Sequence, residues 1–337
     1  MITMLDVAKH ARVSKATVSR VLNGTGQVRQ STREAVFRAM SELGYRPNFL
    51  ARSLAHRSSN SLGLVVSNFD GPYFGRLLRR AAERTEASGK HLIVTDGHDT
   101  PEDEQQAVQL LIDRRCDAIV LYTRYMSDAA LMTLLEHATV PLIVLNRQLP
   151  MARERCVYFE QQQAAYQVVV YLIAQGHRDI ACITGPASTP TAQARLAGYQ
   201  QALDEHRIPY EPQRVANGDS LISGGYRAAR ELLANGVTFS ALFSCNDDMC
   251  IGAMKALTEA GKRLPQDVSL FGFDDEPSAA YLTPSLSTVY LPIEEMISAA
   301  ITQALKLVEE VPAGPIKPFI GELKLRDSVV PGPYARR

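Results

Sequence analysis

The chain has 337 residues, of which 46% are hydrophobic and 21% charged, and its 36 basic residues balance its 36 acidic residues. This length suits two or three domains with full hydrophobic cores, and the composition excludes disordered, collagen-like and low-complexity chains. No apolar run reaches the roughly 18 to 20 residues needed to cross a bilayer, which excludes a membrane-spanning protein.

The start of the chain and its cysteines favour a cytoplasmic protein. Residues 1–6 lack the basic segment and apolar stretch of a signal peptide. The five cysteines are odd in number and none is spaced as Cys-x-x-Cys, so neither a disulfide framework nor a zinc site is indicated. We therefore expect a protein of the reducing cytoplasm with no metal or other cofactor.

The zero net charge hides an uneven distribution. Residues 1–60 contain ten Lys or Arg against three Asp or Glu, whereas the remainder contains 26 against 33. A small basic head on an acidic body is typical of a nucleic-acid-binding module joined to a different module. A basic surface that simply faces solvent is the alternative, and charge alone does not reject it.

Capping patterns predict three short helices in the head. Thr3 with Asp6, and Ser31 with Glu34, form the S/T-x-x-D/E pattern in which a hydroxyl caps free amides at the start of a helix. Ser14 is placed to cap a further helix between these two. We expect one helix to begin at each of the three caps.

The predicted helices have enough apolar residues for one small core. The second helix carries Val18, Val21 and Leu22 at helical spacing. The first helix is expected to contribute Leu5, Val7 and Ala8. Two short helices joined by a three-residue turn, the second with small and basic residues outward, fit a helix-turn-helix that enters a major groove.

Three segments of the head carry a specific family resemblance: residues 4–23 (MLDVAKHARVSKATVSRVLN), 28–33 (VRQSTR) and 43–48 (LGYRPN). They closely resemble the DNA-binding domain of the LacI/GalR repressors, without gaps over almost sixty residues. The resemblance implies that Lys15, Ala16 and Arg20 contact bases, and an arginine can donate two hydrogen bonds to one guanine. The full set of DNA-binding residues that we expect is Ser14, Lys15, Ala16, Thr17, Ser19, Arg20, Asn23, Ala51 and Leu54.

One position departs from the family pattern. The turn of the helix-turn-helix carries Arg12, where the family usually has Gly. If this residue adopts a positive φ, its Cβ costs on the order of 1 kcal/mol.

Residues 47–54 are apolar enough to form a helix, but isolated helices below roughly 12 residues are marginal. The resemblance implies a hinge helix that orders on DNA and pairs with its counterpart in a dimer. It places Leu54 as a wedge in the minor groove, which would kink the duplex, and Ala51 where the two helices approach. Without the flanking match, an ordinary linker would be the default interpretation.

Beyond residue 61, short β-branched runs alternate with helical stretches, which is typical of parallel sheets with crossover helices. The predicted strands are Leu62–Ser67, His91–Thr95, Ala118–Tyr122, Leu142–Leu145, Asp179–Thr184, Arg214–Ala216, Ala241–Ser244 and Val268–Phe273. The predicted helices are Gly75–Ala87, Pro101–Arg114, Arg195–His206, Gly224–Asn235 and Met249–Ala260. The second half of the body repeats the order of strands and helices found in the first half.

The last segments are predicted to return between the lobes as a strand, a helix and a strand, at Ser287–Leu291, Ile293–Glu309 and Phe319–Leu325. The order resembles the periplasmic sugar-binding-protein fold of LacI/GalR bodies. The predicted fold class is a small all-α helix-turn-helix head joined to an α/β body of two doubly wound parallel-sheet lobes. The predicted domains are the helix-turn-helix (1–46), the hinge and linker (47–60), the effector-binding and dimerisation body (61–331) and the tail (332–337). Within the body, lobe 1 is predicted at about 61–160 plus 292–320, and lobe 2 at about 161–289 plus 321–331.

A ligand is expected in the crevice at the carboxyl ends of the strands. Sugar hydroxyls donate and accept hydrogen bonds, so a sugar site needs carboxylates, amides and guanidinium groups beside an apolar face. By resemblance, the expected effector-binding residues are Tyr73, Phe74, Asn146, Arg147, Arg195, Asn246 and Asp274. Asp248 and Asp275 are interpreted as turn residues.

We expect a transcriptional regulator, a repressor of sugar or glycoside utilisation genes that is most similar to the family's galactose and β-glucoside repressors. The resemblance implies a small sugar-like effector, a near-palindromic double-stranded operator and a homodimer. Residues 331–337 carry no apolar heptads, which favours a dimer over a tetramer.

The alternatives are a sugar-binding protein and a glycoside-processing enzyme. A transport protein that binds sugar outside the cytoplasm would need a signal peptide in place of the basic head. The enzyme hypothesis has little support, because no dinucleotide, phosphate-loop, zinc or serine-hydrolase motif occurs. The adjacent carboxylates Asp247/Asp248 and Asp274/Asp275 are expected to point apart, and no catalytic or metal-binding residue is predicted.

Overall fold

The computed structural model describes residues 2–23, 26–45 and 59–335 of the chain. Internal contacts separate the chain into two units, Met1–Ser59 and Asn60–Arg337. We call the first unit the head and the second the body, and each is described separately.

The described part of the head contains the helices α1 (Met4–His10), α2 (Lys15–Asn23) and α3 (Gln30–Leu43). Two of the predicted caps are confirmed. Thr3 Oγ1 accepts a hydrogen bond from the Asp6 N–H, and the Asp6 carboxylate accepts one from the Thr3 N–H. Ser14 Oγ accepts a hydrogen bond of 3.0 Å from the Thr17 N–H at the start of α2.

Two predictions for the head are wrong. Helix α3 begins at Gln30, so Ser31 lies inside its first turn instead of at the cap, and Glu34 accepts a hydrogen bond from Gln30 Nε2. Leu5 is 50% exposed, because the buried face of the short helix α1 consists of Val7 and Ala8.

The rest of the predicted head core is confirmed. Val18 and Val21 are buried, Leu22 packs against the same cluster, and α3 adds Val36 and Ala39. At the turn between α1 and α2, Arg12 adopts a φ of 54°, in the left-handed region that favours glycine. The departure from the family pattern therefore falls on a backbone position that penalises a side chain.

The first lobe of the body is built around a parallel sheet. Its strands are β1 (Ser61–Val66), β2 (His91–Asp96), β3 (Ala118–Tyr122), β4 (Leu142–Leu145) and β5 (Cys156–Val157), and its helices are α4 (Gly71–Ala87), α5 (Pro101–Asp113) and α6 (Asp128–His137). The strand order is β2-β1-β3-β4-β5. Strands β1, β3 and β4 are buried throughout, as continuous Val, Ile and Leu runs predict. Helix α6 and the two-residue strand β5 are not among the predicted elements.

The second lobe repeats this arrangement. Its helices are α7 (Gln161–Ala174), α8 (Pro190–Glu205), α9 (Ile222–Ala234) and α10 (Asp247–Glu259), and its strands are β6 (Ile180–Thr184), β7 (Val215–Asn217), β8 (Ala241–Ser244) and β9 (Ser269–Phe271). The strands are parallel in the order β7-β6-β8-β9. Helix α7 packs against α8, and α9 packs against α10. Helix α7 is not among the predicted helices.

The last elements are β10 (Thr288–Tyr290), α11 (Ile293–Val308) and β11 (Glu322–Lys324). They lie within the three segments predicted to return between the lobes. Strands β10 and β11 pair antiparallel, and α11 packs on α4 and on strands of the first lobe. The predicted fold class is confirmed. Within the described residues, no helix is both long enough and apolar enough to cross a membrane.

Candidate functional site

Helix α2 presents a polar outer face. Lys15, Ala16 and Arg20 are exposed, whereas Thr17 and Ser19 are half-buried. This orientation follows from the packing of Val18 and Val21 into the head core and leaves the face with two cations and no acidic residue. It matches the residue types that contact bases and phosphates in a major groove.

Part of the expected DNA-binding set cannot be placed. The side chain of Asn23, and residues Ala51 and Leu54, lie outside the described residues. The proposed wedge therefore stays a prediction from the resemblance.

The body has a cavity of about 370 Å³ at the carboxyl ends of its strands. The first lobe contributes residues at or after the ends of β1 and β3, among them Ser67, Asn68, Asp70, Tyr73, Phe74, Tyr122, Arg124 and Tyr125. The second lobe contributes Thr189, Arg195, Ser220, Asn246, Asp248, Asp274 and Glu276. Five of the seven expected effector residues line this one cavity.

Arg195 is the best-connected polar side chain in the cavity wall. Its guanidinium donates to Gln161 Oε1 at 2.8 Å, to Asp274 Oδ1 at 3.2 Å and to the carbonyl oxygen of Cys245. The same group lies 3.6 Å from the ring centroid of Phe273. Arg195 is 6% exposed, and these contacts fix its orientation before any ligand arrives.

The expectation that Arg195 opens its helix is wrong. Helix α8 begins at Pro190 and places Arg195 in its second turn. The helix starts early because Thr189 accepts a hydrogen bond from the Ala192 N–H as the cap and Pro190 occupies the first helical position.

Asp274 and Asn246 complete the polar group around Arg195. Asp274 adopts a φ of 104°, and burial raises the pKa of its carboxyl to about 6 although Arg195 opposes the shift. Asn246 caps α10, because its Oδ1 accepts from the Met249 N–H at 2.9 Å and its Nδ2 donates to the Ser220 carbonyl at 2.9 Å. Asn246 is therefore tied to its own lobe.

The aromatic part of the wall contains two rings more than expected, those of Tyr122 and Tyr125. Tyr73 and Phe74 make edge-to-face contacts with each other and with Tyr122, with centroids 5.2 to 6.2 Å apart. The Tyr73 and Tyr122 hydroxyls are 3.4 Å apart. The sequence analysis missed Tyr122, although its place at the end of β3 is the same signal that singled out the other candidates.

The structure does not bring Asn146 and Arg147 to the cavity. Asn146 lies behind the aromatic wall and donates to the Tyr122 hydroxyl at 3.1 Å. Arg147 donates to the Met126 carbonyl at 3.0 Å and pairs with the Asp128 carboxylate. These partners occupy polar atoms of both side chains away from the cavity.

Two further carboxylates are buried near this group, Asp247 and Glu276, and no sequence pattern singled out Glu276. Asp247 accepts hydrogen bonds from Thr288 Oγ1 at 2.7 Å and from the Glu276 N–H at 2.8 Å, and burial raises its pKa. Burial likewise raises the pKa of Glu276 to about 7, opposed by Arg76. Asp247 and Asp248 point to different places, since only Asp248 lines the cavity.

Asp275 and Asp248 were both interpreted as turn residues. Asp275 has a φ of 51° and pairs with Arg326 at 2.7 Å, so its side chain has a structural partner in addition to its place in the turn. Asp248 lies in the first turn of α10. Among the described residues, no group of three or more His, Cys, Asp or Glu is arranged to hold a metal ion.

A helix-turn-helix head on a two-lobed α/β body with a polar cavity defines a ligand-responsive DNA-binding regulator. The sequence matches the family of bacterial regulatory proteins of the lacI family over residues 3–48, and the periplasmic binding protein-like domain over residues 169–329. The HTH-type transcriptional regulator AscG of Escherichia coli K12 is 45% identical over 98% of this chain and 99% of its own length. The chain therefore belongs to the LacI family of bacterial regulatory proteins.

Solved structures agree with this assignment. A sugar-binding transcriptional regulator of the LacI family from Escherichia coli, complexed with phosphate, is 40% identical and covers 81% of this chain and 99% of its own, with a TM-score of 0.74. The lac repressor dimer bound to operator and an anti-inducer is 27% identical over 98% of this chain and 99% of its own, with a TM-score of 0.88. The protein is a DNA-binding transcriptional regulator, as the sequence predicts.

Proposed function

We propose that this regulator represses sugar or glycoside utilisation genes and that a sugar-like effector controls its binding to an operator. The observation that carries the proposal is the cavity. Carboxylate, amide and guanidinium groups line it beside four aromatic rings, the combination that a sugar requires. The sugar-binding relative described above supports the same class of effector.

Helix α2 is the proposed recognition helix. Arg20 is assigned to a guanine and Ala16 to a methyl contact, because these are the bonds that their side chains can offer. Lys15 is the third base-reading residue. The phosphate and hinge contacts are assigned to Ser14, Thr17, Ser19, Asn23, Ala51 and Leu54.

In the body, Arg195, Asn246 and Asp274 are the proposed polar contacts, and Tyr73 and Phe74 the apolar ones. Asn146 and Arg147 are assigned indirect roles. Asn146 supports the wall through Tyr122. Arg147 holds the loop after β3 through the Met126 carbonyl.

The proposed control acts through the two lobes. Arg124 of the first lobe donates to Ser220 Oγ of the second at 3.1 Å, and Asn146 donates to Thr191 Oγ1 at 3.4 Å. An effector that binds two lobe arrangements unequally shifts their populations. A coupling of about 1 to 3 kcal/mol would change operator affinity roughly 5- to 150-fold.

The remaining assignments complete the proposal. The protein works in the cytoplasm as a homodimer on a near-palindromic operator and leaves its effector chemically unchanged. Residues 1–46 bind DNA, residues 47–60 form the hinge, and residues 61–331 bind the effector and the second subunit. The operator-bound lac repressor dimer supports the dimer and the operator symmetry.

The test is a selection of bound fragments from a random DNA pool by the purified protein, at fixed salt, with and without galactose and cellobiose. We expect enrichment of a near-palindrome and a change in that enrichment with one sugar. The variant Arg20→Ala should lose the enrichment, whereas Arg38→Ala, on the exposed face of α3, should keep it. A folded wild-type protein that enriches no sequence would contradict the proposal, and glycoside cleavage during the incubation would favour an enzyme.

A further inference from the structure

Glu276 is a buried carboxylate at the edge of the cavity that no sequence pattern singled out. It is 3% exposed and lines the cavity from the second lobe. Its backbone N–H donates to Asp247 Oδ2, which fixes the chain at this point.

The side chain of Glu276 is only half satisfied. Its Oε1 accepts a hydrogen bond of 3.2 Å from Arg76 Nη2, and Arg76 lies on α4 of the first lobe. Its Oε2 has no hydrogen-bond partner among the described residues, and neither does Oγ of Ser67, which lines the cavity from the first lobe. Buried polar atoms of folded proteins normally have a hydrogen-bond partner, so we expect the ligand to supply one for these two atoms.

The charges around the cavity restrict what that partner can be. Among the described residues, seven carboxylate side chains and two guanidinium groups line it. Arg195 is already paired with Asp274, and Arg124 donates to Ser220. The amides that begin α8 and α10 are capped by Thr189 and Asn246, whereas no side chain caps those that begin α4 and α9. The lining therefore carries more carboxylates than guanidinium groups, so a phosphate would enter a site of net negative charge despite Arg124 and the uncapped amides.

We propose that the effector is an uncharged, hydroxyl-bearing sugar or glycoside, and that Glu276, held by Arg76, selects it by accepting a hydrogen bond from one of its hydroxyls. The proposal rests on the sugar-binding function proposed above and narrows it. A sugar phosphate is disfavoured because its charge would face an excess of carboxylates in a partly buried site.

Calorimetric titration of the full-length protein tests this selection with matched probes: galactose, cellobiose, their 6-phosphates and inorganic phosphate. We expect one uncharged sugar to bind at least about 100-fold more tightly than its phosphate, since like charges at a buried contact weaken binding strongly. In Glu276→Gln the acceptor becomes an amide that can donate. This change should lower the affinity for the uncharged sugar about tenfold and reduce the preference for the sugar over its phosphate by a similar factor.

Asp275→Asn is the matched control, because Asp275 is the neighbouring carboxylate but pairs with Arg326 and does not line the cavity. It should leave every affinity unchanged. Tighter binding of a sugar phosphate by the wild type would support the sugar effector but overturn the selection by charge. If the wild type binds neither the sugars nor their phosphates, the sugar effector and the selection by charge are both contradicted. If Glu276→Gln does not fold, the wild-type comparison still decides the charge of the ligand, and Arg76→Met tests the residue that positions Glu276.

Discussion

Thr123 Oγ1 donates a hydrogen bond of 2.6 Å to the carboxylate of Glu104, and neither side chain is exposed to solvent. The same carboxylate accepts hydrogen bonds from the N–H groups of Arg124, Tyr125 and Met126, at 2.7 to 3.2 Å. One side chain on α5 therefore holds the whole loop that carries Arg124 and Tyr125 to the cavity.

Replacing Glu104 with Ala should lower the free energy of unfolding of the body by about 3 kcal/mol, since it leaves several buried donors without an acceptor. Urea denaturation measures the change. Glu102→Ala, an exposed glutamate of the same helix, should change the value by less than about 0.5 kcal/mol. Equal effects of the two variants would mean that the loop is held by other contacts.

Arg195→Ala should abolish the effector response and leave operator binding intact, because its partners Gln161, Asp274 and Cys245 all lie in the body. Effector affinity should fall at least about 100-fold, the effect of removing a buried charged hydrogen-bonding partner. Electrophoretic mobility shifts with and without effector measure both quantities. Arg230→Ala, an exposed arginine of the same lobe, is the control. If Arg195→Ala loses operator binding and Arg230→Ala keeps it, effector binding and operator binding do not rest on separate residues.

The body should become less stable as pH rises from about 5 to 8. The pKa values of Asp274 and Glu276, about 6 and about 7, exceed those of an unfolded chain. Folding therefore favours the protonated forms, and their contribution is full below the unfolded pKa and lost as pH rises through the folded one. Burial lowers the pKa of His177, whose contribution is instead lost as pH falls.

Comparing Tm across this pH range in the wild type and in Glu276→Gln isolates one of these groups. The variant should show a smaller decline at the upper end of the range, while the His177 contribution at the lower end is common to both. Parallel curves would show that Glu276 has the same proton affinity in the folded and unfolded chain.

Gly225 on α9 and Gly252 on α10 allow these two helices to pack closely. A Cβ at Gly225 would overlap the carbonyl oxygen of Met249, and one at Gly252 would overlap that of Ile222. Gly225→Ala should therefore destabilise the body by about 3 kcal/mol in chemical denaturation. In α4, Gly75 has no atom near its Cβ position, and Gly75→Ala should be stabilising by about 0.5 to 1 kcal/mol. Tolerance of Ala at both sites would contradict the packing argument.

Arg20→Lys should cost about 1 to 3 kcal/mol of operator binding, because lysine cannot make two parallel bonds to one guanine. The loss should be confined to operator DNA, since both residues carry the same charge. Fluorescence anisotropy on operator and unrelated duplexes measures the difference. A uniform loss on both duplexes would assign Arg20 to the phosphates.

The sequence predicted the fold well and the site in part, for physical reasons. Strands such as Ala118–Tyr122 and Leu142–Leu145 were found because they are buried runs with turn residues at their ends. Helix α7 was missed because its apolar residues are spread around the helix and show little periodicity. Glu276 was missed because its importance depends on Arg76, a neighbour distant in sequence that local patterns do not contain. Tyr122 was missed although its place at the end of β3 is a local signal.

The position of α11 has a consequence for synthesis. This helix covers α4 and strands of the first lobe, although it belongs to the far end of the sequence. During translation the first lobe therefore emerges without part of its apolar cover and waits for nearly the whole second lobe to be made. A ribosome-bound chain that stops before Ile293 should recruit chaperones through this open surface, since exposed apolar surface drives aggregation.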